Sequence, residues 1–167
     1  TGGTELLGGG ITLLGSLSSR VSVGAGAIFR GDNATIAGDL TIIGILTPGV
    51  LDGDIGKLRV NGDATFEPTS IYRVDATSDR ADQLNVVDDP ASRADPSTQK
   101  GFVILQGGAL ELALKDGLAP FVPLDIITAQ NGVSGTFGSV QSNSISAFLD
   151  PRLLYGNAVT LSFVNNG

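Results

Sequence analysis

Three segments of this chain can be laid over one another: GSLSSRVSVGAGAIF from Gly15, GDLTIIGILTPG from Gly38 and GDATFEPTSIYRV from Gly62. Each opens with Gly followed by Ser or Asp, then enters a short strand in which apolar and polar residues alternate. Their starts lie 23 and 24 residues apart. A period of this length restricts a chain to repeat architectures, and short β-branched strands between Gly, Asn and Asp turns restrict it to the β kind. One coil per period, with strands about 4.8 Å apart, gives roughly six to eight stacked coils and a rod about 30 to 40 Å long. An antiparallel sandwich or barrel is the competing architecture, because it also strings short strands between turns.

Gly supplies 24 of the 167 residues, roughly twice its usual share. Corners that need positive φ account for that excess without any phosphate-binding loop. The chain has no His, Cys, Met or Trp. Without His there is no Ser-His-Asp or Cys-His catalysis, and without His and Cys the usual zinc, haem and iron-sulfur sites lack ligands. No cofactor, metal or enzymatic activity is expected. The lack of Cys also suits passage through an oxidising compartment. A net charge of -7, with no basic patch, argues against nucleic acid as a partner. A hydrophobic share of 41% argues for a folded chain. No apolar run approaches the roughly 18 residues of a membrane span. Thr1 opens in mid-pattern, so the sequence reads as a piece of a longer protein.

Alternation assigns Val21, Val23, Leu40, Ile42, Leu58, Val60, Ile104, Leu110, Leu112 and Leu114 to the interior. Phe29, Phe66, Phe102 and Phe137 read as core stacks. Residues 1–120 are expected to form the coils. Within them VDDPASRADPSTQKG, residues 87–101, reads as a solvated loop insertion. The remainder, residues 121–167, is strand-rich and lacks any catalytic grouping. A solenoid exposes an edge at each end, and this segment reads as its cap, built on Ile126, Ile127, Val133, Phe137, Phe148, Leu149, Tyr155, Val159 and Leu161.

Residues 21–49 followed by 55–75 resemble the passenger domains of bacterial autotransporters. The similarity rests on Leu46-Thr47-Pro48-Gly49, on Ile55-Gly56-Lys57-Leu58-Arg59-Val60-Asn61-Gly62, and on Asp82-Gln83-Leu84. Residues 126–129, 132–137 and 148–155 are likewise similar to the terminal passenger region of that family. The 87–101 loop is longer and more charged than the family's usual turn there. The resemblance implies a right-handed parallel β-helix with a C-terminal β-strand cap, exported to the bacterial cell surface by its own outer-membrane β-barrel translocator. It also implies that the terminal region, often called the autochaperone, folds first and promotes vectorial folding. The leading expectation is a structural stem that displays a distal functional region. Adhesion to host cells or self-association, through a β-helix face or the 87–101 loop, is the alternative. A carbohydrate-active β-helix enzyme ranks third.

Three motifs carry possible chemistry. Arg30-Gly31-Asp32 offers a guanidinium and a carboxylate to an integrin-type receptor if it forms an exposed turn, against the reading of an ordinary turn. Asp52-Gly53-Asp54 begins like a calcium loop, but Gly56 stands where an oxygen ligand is needed and Lys57 where Gly is invariant. Asp79, Asp82, Asp88 and Asp89 form either a solvated acidic turn or a weak calcium or polysaccharide-cleaving site.

Overall fold

The computed structural model describes residues 2–89, 98–115, 122–143 and 149–165. Those residues form 19 strands and no α-helix. Sheet A contains β1 (Gly3–Leu6), β4 (Arg20–Val23), β7 (Leu40–Ile42), β10 (Ala64–Phe66), β13 (Phe102–Gln106) and β16 (Gly132–Thr136), in that order. Sheet B contains β2 (Gly9–Leu13), β5 (Ala27–Gly31), β8 (Ile45–Pro48), β11 (Ile71–Ala76), β14 (Ala109–Leu114) and β17 (Ser139–Ser142). Sheet C runs through β3 (Ser16–Leu17), β6 (Ala34–Ile36), β9 (Lys57–Asn61), β12 (Gln83–Val87) and β15 (Leu124–Ala129). It ends in β19 (Ala158–Asn165) and β18 (Leu149–Tyr155).

Each sheet therefore takes every third strand, and consecutive trios such as β4, β5 and β6 make one tier. Pairing between successive tiers is parallel in all three sheets. Only the terminal strands depart from this, where β19 pairs antiparallel with both β15 and β18. The arrangement is all-β and β-helix-like. Five tiers hold three strands and a sixth holds β16 and β17, so five steps of about 4.8 Å give a stack about 24 Å long.

In-register pairing creates columns. Val21 pairs with Leu40, Leu40 with Ala64, Ala64 with Val103 and Val103 with Val133. A second inner column follows Val23, Ile42, Phe66 and Leu105. The inner faces of all three sheets feed one apolar cluster, in which Phe29, Leu46, Leu58, Tyr72, Leu84 and Leu110 are fully buried. Both parallel-sheet burial and β-branched packing favour the Val, Ile and Leu found there.

The columns uphold one expectation and correct three others. The overlay of Gly38 on Gly62 is right, because Leu40 pairs with Ala64, 24 positions on. The overlay of Gly15 on Gly38 is wrong, because Val21 rather than Leu17 pairs with Leu40, at a spacing of 19. The turns between strands vary in length, so no single period governs the stack. In β13, Phe102 and Ile104 face outward at 38% and 37% exposure, while Val103 and Leu105 are buried. The run FVIL is apolar at every position, so it has no phase of its own. Its phase comes from pairing with Ala64 and Phe66.

Glycine is required where tiers approach backbone to backbone. A Cβ on Gly62 would lie 2.7 Å from the carbonyl carbon and oxygen of Gly38, and one on Gly44 would lie 2.3 Å from the Gly24 oxygen. Gly8, by contrast, has open space and no unusual φ. Gly62→Ala is therefore expected to destabilise the chain by about 1–3 kcal/mol through forced separation of two tiers. Gly8→Ala should leave the urea midpoint essentially unchanged. Equal midpoints for the two variants would contradict the close-approach account.

Candidate functional site

Two polar corners and one apolar end concentrate the chemistry of the molecule. At the corner between sheets C and A, the Gly-Asp steps stack. The Asp63 N–H donates to Asp39 Oδ1 at 2.9 Å, and the Phe102 N–H donates to Asp63 Oδ1 at 3.1 Å. Lys100 lies across the pair, with Nζ 3.2 Å from Asp39 Oδ2 and 3.0 Å from Asp63 Oδ2. The Asp63 carboxylate, ahead of Asp39, holds the Lys100 ammonium above its ordinary pKa. The Lys100 N–H is accepted by Asp88 Oδ1 at 2.9 Å, and the Lys100 carbonyl accepts from Asn131 Nδ2. One lysine thus ties the end of the 87–101 insertion to four tiers. Residues 90–97 of that insertion lie outside the described residues.

The corner between sheets B and C is built on carboxylates that accept backbone N–H groups. Asp82 is fully buried and takes the N–H of Gly56 at 2.7 Å and of Asp75 at 2.8 Å. Asp75 takes the Gly53 N–H at 2.9 Å, and Asp32 takes the Lys57 N–H at 3.1 Å. Burial is the main force on Asp82. Together with the Asp75 and Asp32 carboxylates it overrides the two N–H donors and pushes the acid up to about 8. Asp75 is raised as well, again by burial first.

The four acids read together in the sequence do not converge. Asp82 precedes β12 and Asp88 follows it, so the strand separates them into different corners. Asp79 instead joins the local turn through Thr77 and Arg80. The Asp52-Gly53-Asp54 loop likewise spends its groups locally: Asp52 pairs with Arg30, and Asp54 accepts the Leu51 N–H at 3.1 Å.

Arg30 and Gly31 belong to β5, and Asp32 follows as a bend. The Arg30 side chain is mostly covered and is ion-paired with Asp52. Gly31 is buried and bridges Gly49, and Asp32 binds the Lys57 N–H. All three residues of the triplet have partners within the chain.

At the apolar end, β15 carries a bulge. Its register against β19 shifts between Asp125 and Ile127, and consecutive Ile126 and Ile127 are both fully buried. The extra residue frees the Ile126 carbonyl, which accepts the Tyr72 hydroxyl at 2.8 Å across the core. Burial raises the Tyr72 phenol well above its ordinary pKa, so it stays a donor. Phe137 packs beside it. The Tyr72 and Phe137 rings stack at 6.2 Å, and each meets Phe66 edge-on at 5.5 and 5.8 Å.

Val159 and Leu161 on β19 are fully buried, and Val133 packs against the same cluster. Leu149 is half-buried at the start of β18. Tyr155 is 38% exposed, and its hydroxyl accepts the Phe137 N–H at 3.2 Å. Phe148 and Phe121 lie outside the described residues. Sequence reading missed Tyr72 and Lys100. Tyr72 looks like any inward strand residue, while only the spatial meeting of two Gly-Asp steps gives Lys100 its place.

No protein-family model matches this sequence, and no curated protein matches it significantly.

Two outcomes test these geometries. Tyr72→Phe keeps the ring but strands the Ile126 carbonyl, and is expected to cost about 1–3 kcal/mol in chemical denaturation. A change below the error of the fit would remove that hydrogen bond from the account. For Asp82, the native acid holds a proton that the unfolded chain, near pKa 3.9, releases. Its contribution is full below about pH 4 and is lost as the pH rises towards 8. The melting temperature should therefore fall across that window, by about 2–4 °C for each kcal/mol lost. Asp82→Asn should flatten the profile, and an equally steep profile in that variant would refute the assignment.

Proposed function

We propose that this chain is the C-terminal stem of a bacterial autotransporter passenger. In this reading it forms a closed, right-handed, three-sided parallel β-helix that holds a distal region away from the cell surface. Its last segment ends the stack and templates its growth during export. The observation that carries the reading is the reversal of strand direction at one end. Every tier pairs parallel until β19 meets β15, where the hairpin of β19 and β18 adds antiparallel. An open parallel edge invites another strand, and a hairpin laid on that edge blocks it.

The hairpin also reaches sheet A, since the Gly156 carbonyl accepts the Val133 N–H and Tyr155 accepts the Phe137 N–H. A preformed end of this kind supplies the loop-closure entropy that each added tier would otherwise have to meet alone. The similarity of residues 126–129, 132–137 and 148–155 to the family's terminal passenger region supports the same assignment. In the full-length protein the partner is the outer-membrane β-barrel translocator, and the location is the cell surface.

The test joins this chain to an outer-membrane barrel in a Gram-negative host. The parent chain is expected to appear outside as a protease-resistant fragment. Phe137→Asp places a charge among Phe66 and Tyr72, where loss of the buried ring alone costs about 3–5 kcal/mol. That variant should reach the surface poorly or remain protease-sensitive. Display and resistance equal to the parent would overturn the templating role.

A further inference from the structure

Sheet B differs from the other two sheets on its outer face. Ile28 pairs with Ile45, Ile45 with Ile71 and Ile71 with Ala109, so three isoleucines and an alanine form one column over four tiers. All four are half-buried, and the residues that follow them, Phe29, Leu46, Tyr72 and Leu110, are fully buried. The column therefore faces outward. Over the tiers of the three isoleucines, the outward residues are Ser22, Thr41 and Thr65 on sheet A, and Thr35, Arg59 and Asn85 on sheet C. Only sheet B sets an unbroken apolar strip there, three tier steps or about 14 Å long. An apolar strip framed by polar residues marks a contact surface.

The next outward position on each of these strands is polar or charged: Arg30, Thr47, Arg73 and Glu111. Arg30 pairs with Asp52, and Arg73 with Glu111 at 2.9 Å. Thr47 and Asp75 are both buried, because the turn at Asp52 and Gly53 reaches from Arg30 across to the Asp75 carboxylate. The charges left facing outward beside the strip thus occur as two pairs of opposite sign.

That pattern selects the partner. The strands that carry the strip have both edges paired, so an extended peptide has no edge to join on this face. A flat apolar strip beside paired opposite charges instead complements itself, which is what a two-fold contact requires. Two copies can pack face to face about an axis that runs along the strands and passes between β11 and β14. Arg73 of each copy then stands opposite Glu111 of the other, and Ile71 opposite Ala109.

We propose that the outer face of sheet B is the surface by which two copies of this chain pair side by side, with their stacks antiparallel. It gives self-association through a β-helix face a definite location. The face measures about 17 by 24 Å, at the low end of specific interfaces, so a dissociation constant of about 10–100 µM is expected. It lies on the side of the stack and not at the end that β19 and β18 close, so failure of the stem assignment leaves it untouched.

Sedimentation velocity of the intact chain from about 5 to 500 µM spans that range. The mass is expected to rise from the 17.0 kDa of one chain towards twice that value and to stop there. Ile71→Thr keeps a β-branched residue on the strand and should weaken pairing about tenfold, while Ile71→Lys should abolish it. Ile104→Lys, outward on sheet A, should pair as the parent does. Arg73→Glu sets like charges opposite one another and should also abolish pairing, and adding Glu111→Arg to it should restore the dimer. Unchanged melting temperatures in Ile71→Thr and the double variant will show that the fold is intact. A single-chain mass at every concentration, growth beyond two copies, or a dimer untouched by Ile71→Lys or Arg73→Glu overturns the proposal. Failure of the double variant to recover the dimer overturns it too. Retention of a monomeric chain on phosphatidylcholine vesicles would assign the strip to lipid and exclude the second copy.

Discussion

Close approach of backbone to backbone at the corners sets everything else in this molecule. Cβ atoms on Gly44, Gly62 and Gly138 would fall 2.3 to 2.7 Å from main-chain atoms of the tier beside them, distances at which no side chain fits. Only glycine lets successive tiers turn in the same place, and turning in the same place keeps the strands in register. Register then decides which residues face inward, because a slip of one position exchanges the two faces. The core column from Val21 to Val133 and the outward column of Ser22, Thr41, Thr65 and Ile104 are two consequences of the same alignment.

The end formed by β15, β19 and β18 shows what happens when that regularity stops. A bulge in β15 turns two consecutive isoleucines inward and leaves a carbonyl without a ladder partner. Tyr72, from a different sheet and an earlier tier, reaches across to satisfy it. The irregular strand is thereby tied to a tier that is wholly regular, and Phe137 from the sixth tier packs on the same ring. Stability at this end is shared among three tiers. An end held only by its nearest strand would fray.

The all-β class and the inward residues of β4, β7, β9 and β14 were legible in the sequence because clean alternation carries a phase. Phe102 and Ile104 were not, since FVIL is apolar at every position and takes its phase only from its neighbours. The Gly15 overlay failed for a related reason. Turn length varies between tiers, and a Gly-led turn at another corner resembles the one being matched. The terminal segment was readable as strands with apolar residues, but not its attachment. Nothing in the local sequence links Tyr72 to Ile126, 54 positions away. The polar corners were hidden likewise, because their partners come from successive tiers: Asp63 meets Asp39 and Phe102, and Asp82 meets Gly56.

Those corners give the acidic composition a structural cause. Asp outnumbers Glu 14 to 3 in this chain. Asp32, Asp39, Asp54, Asp63, Asp75, Asp82 and Asp88 each accept a backbone N–H at a corner or loop. The turns leave main-chain donors that no ladder satisfies, and a buried or half-buried donor without a partner is costly. Asp reaches such a donor with one methylene, while Glu must order an additional rotor to do the same. Glu111 instead lies on the face of sheet B, where it pairs with Arg73. The negative charge that argues against nucleic acid as a partner is therefore largely a by-product of satisfying corners. Lys100, bridging Asp39 and Asp63, offsets part of the repulsion that this solution creates.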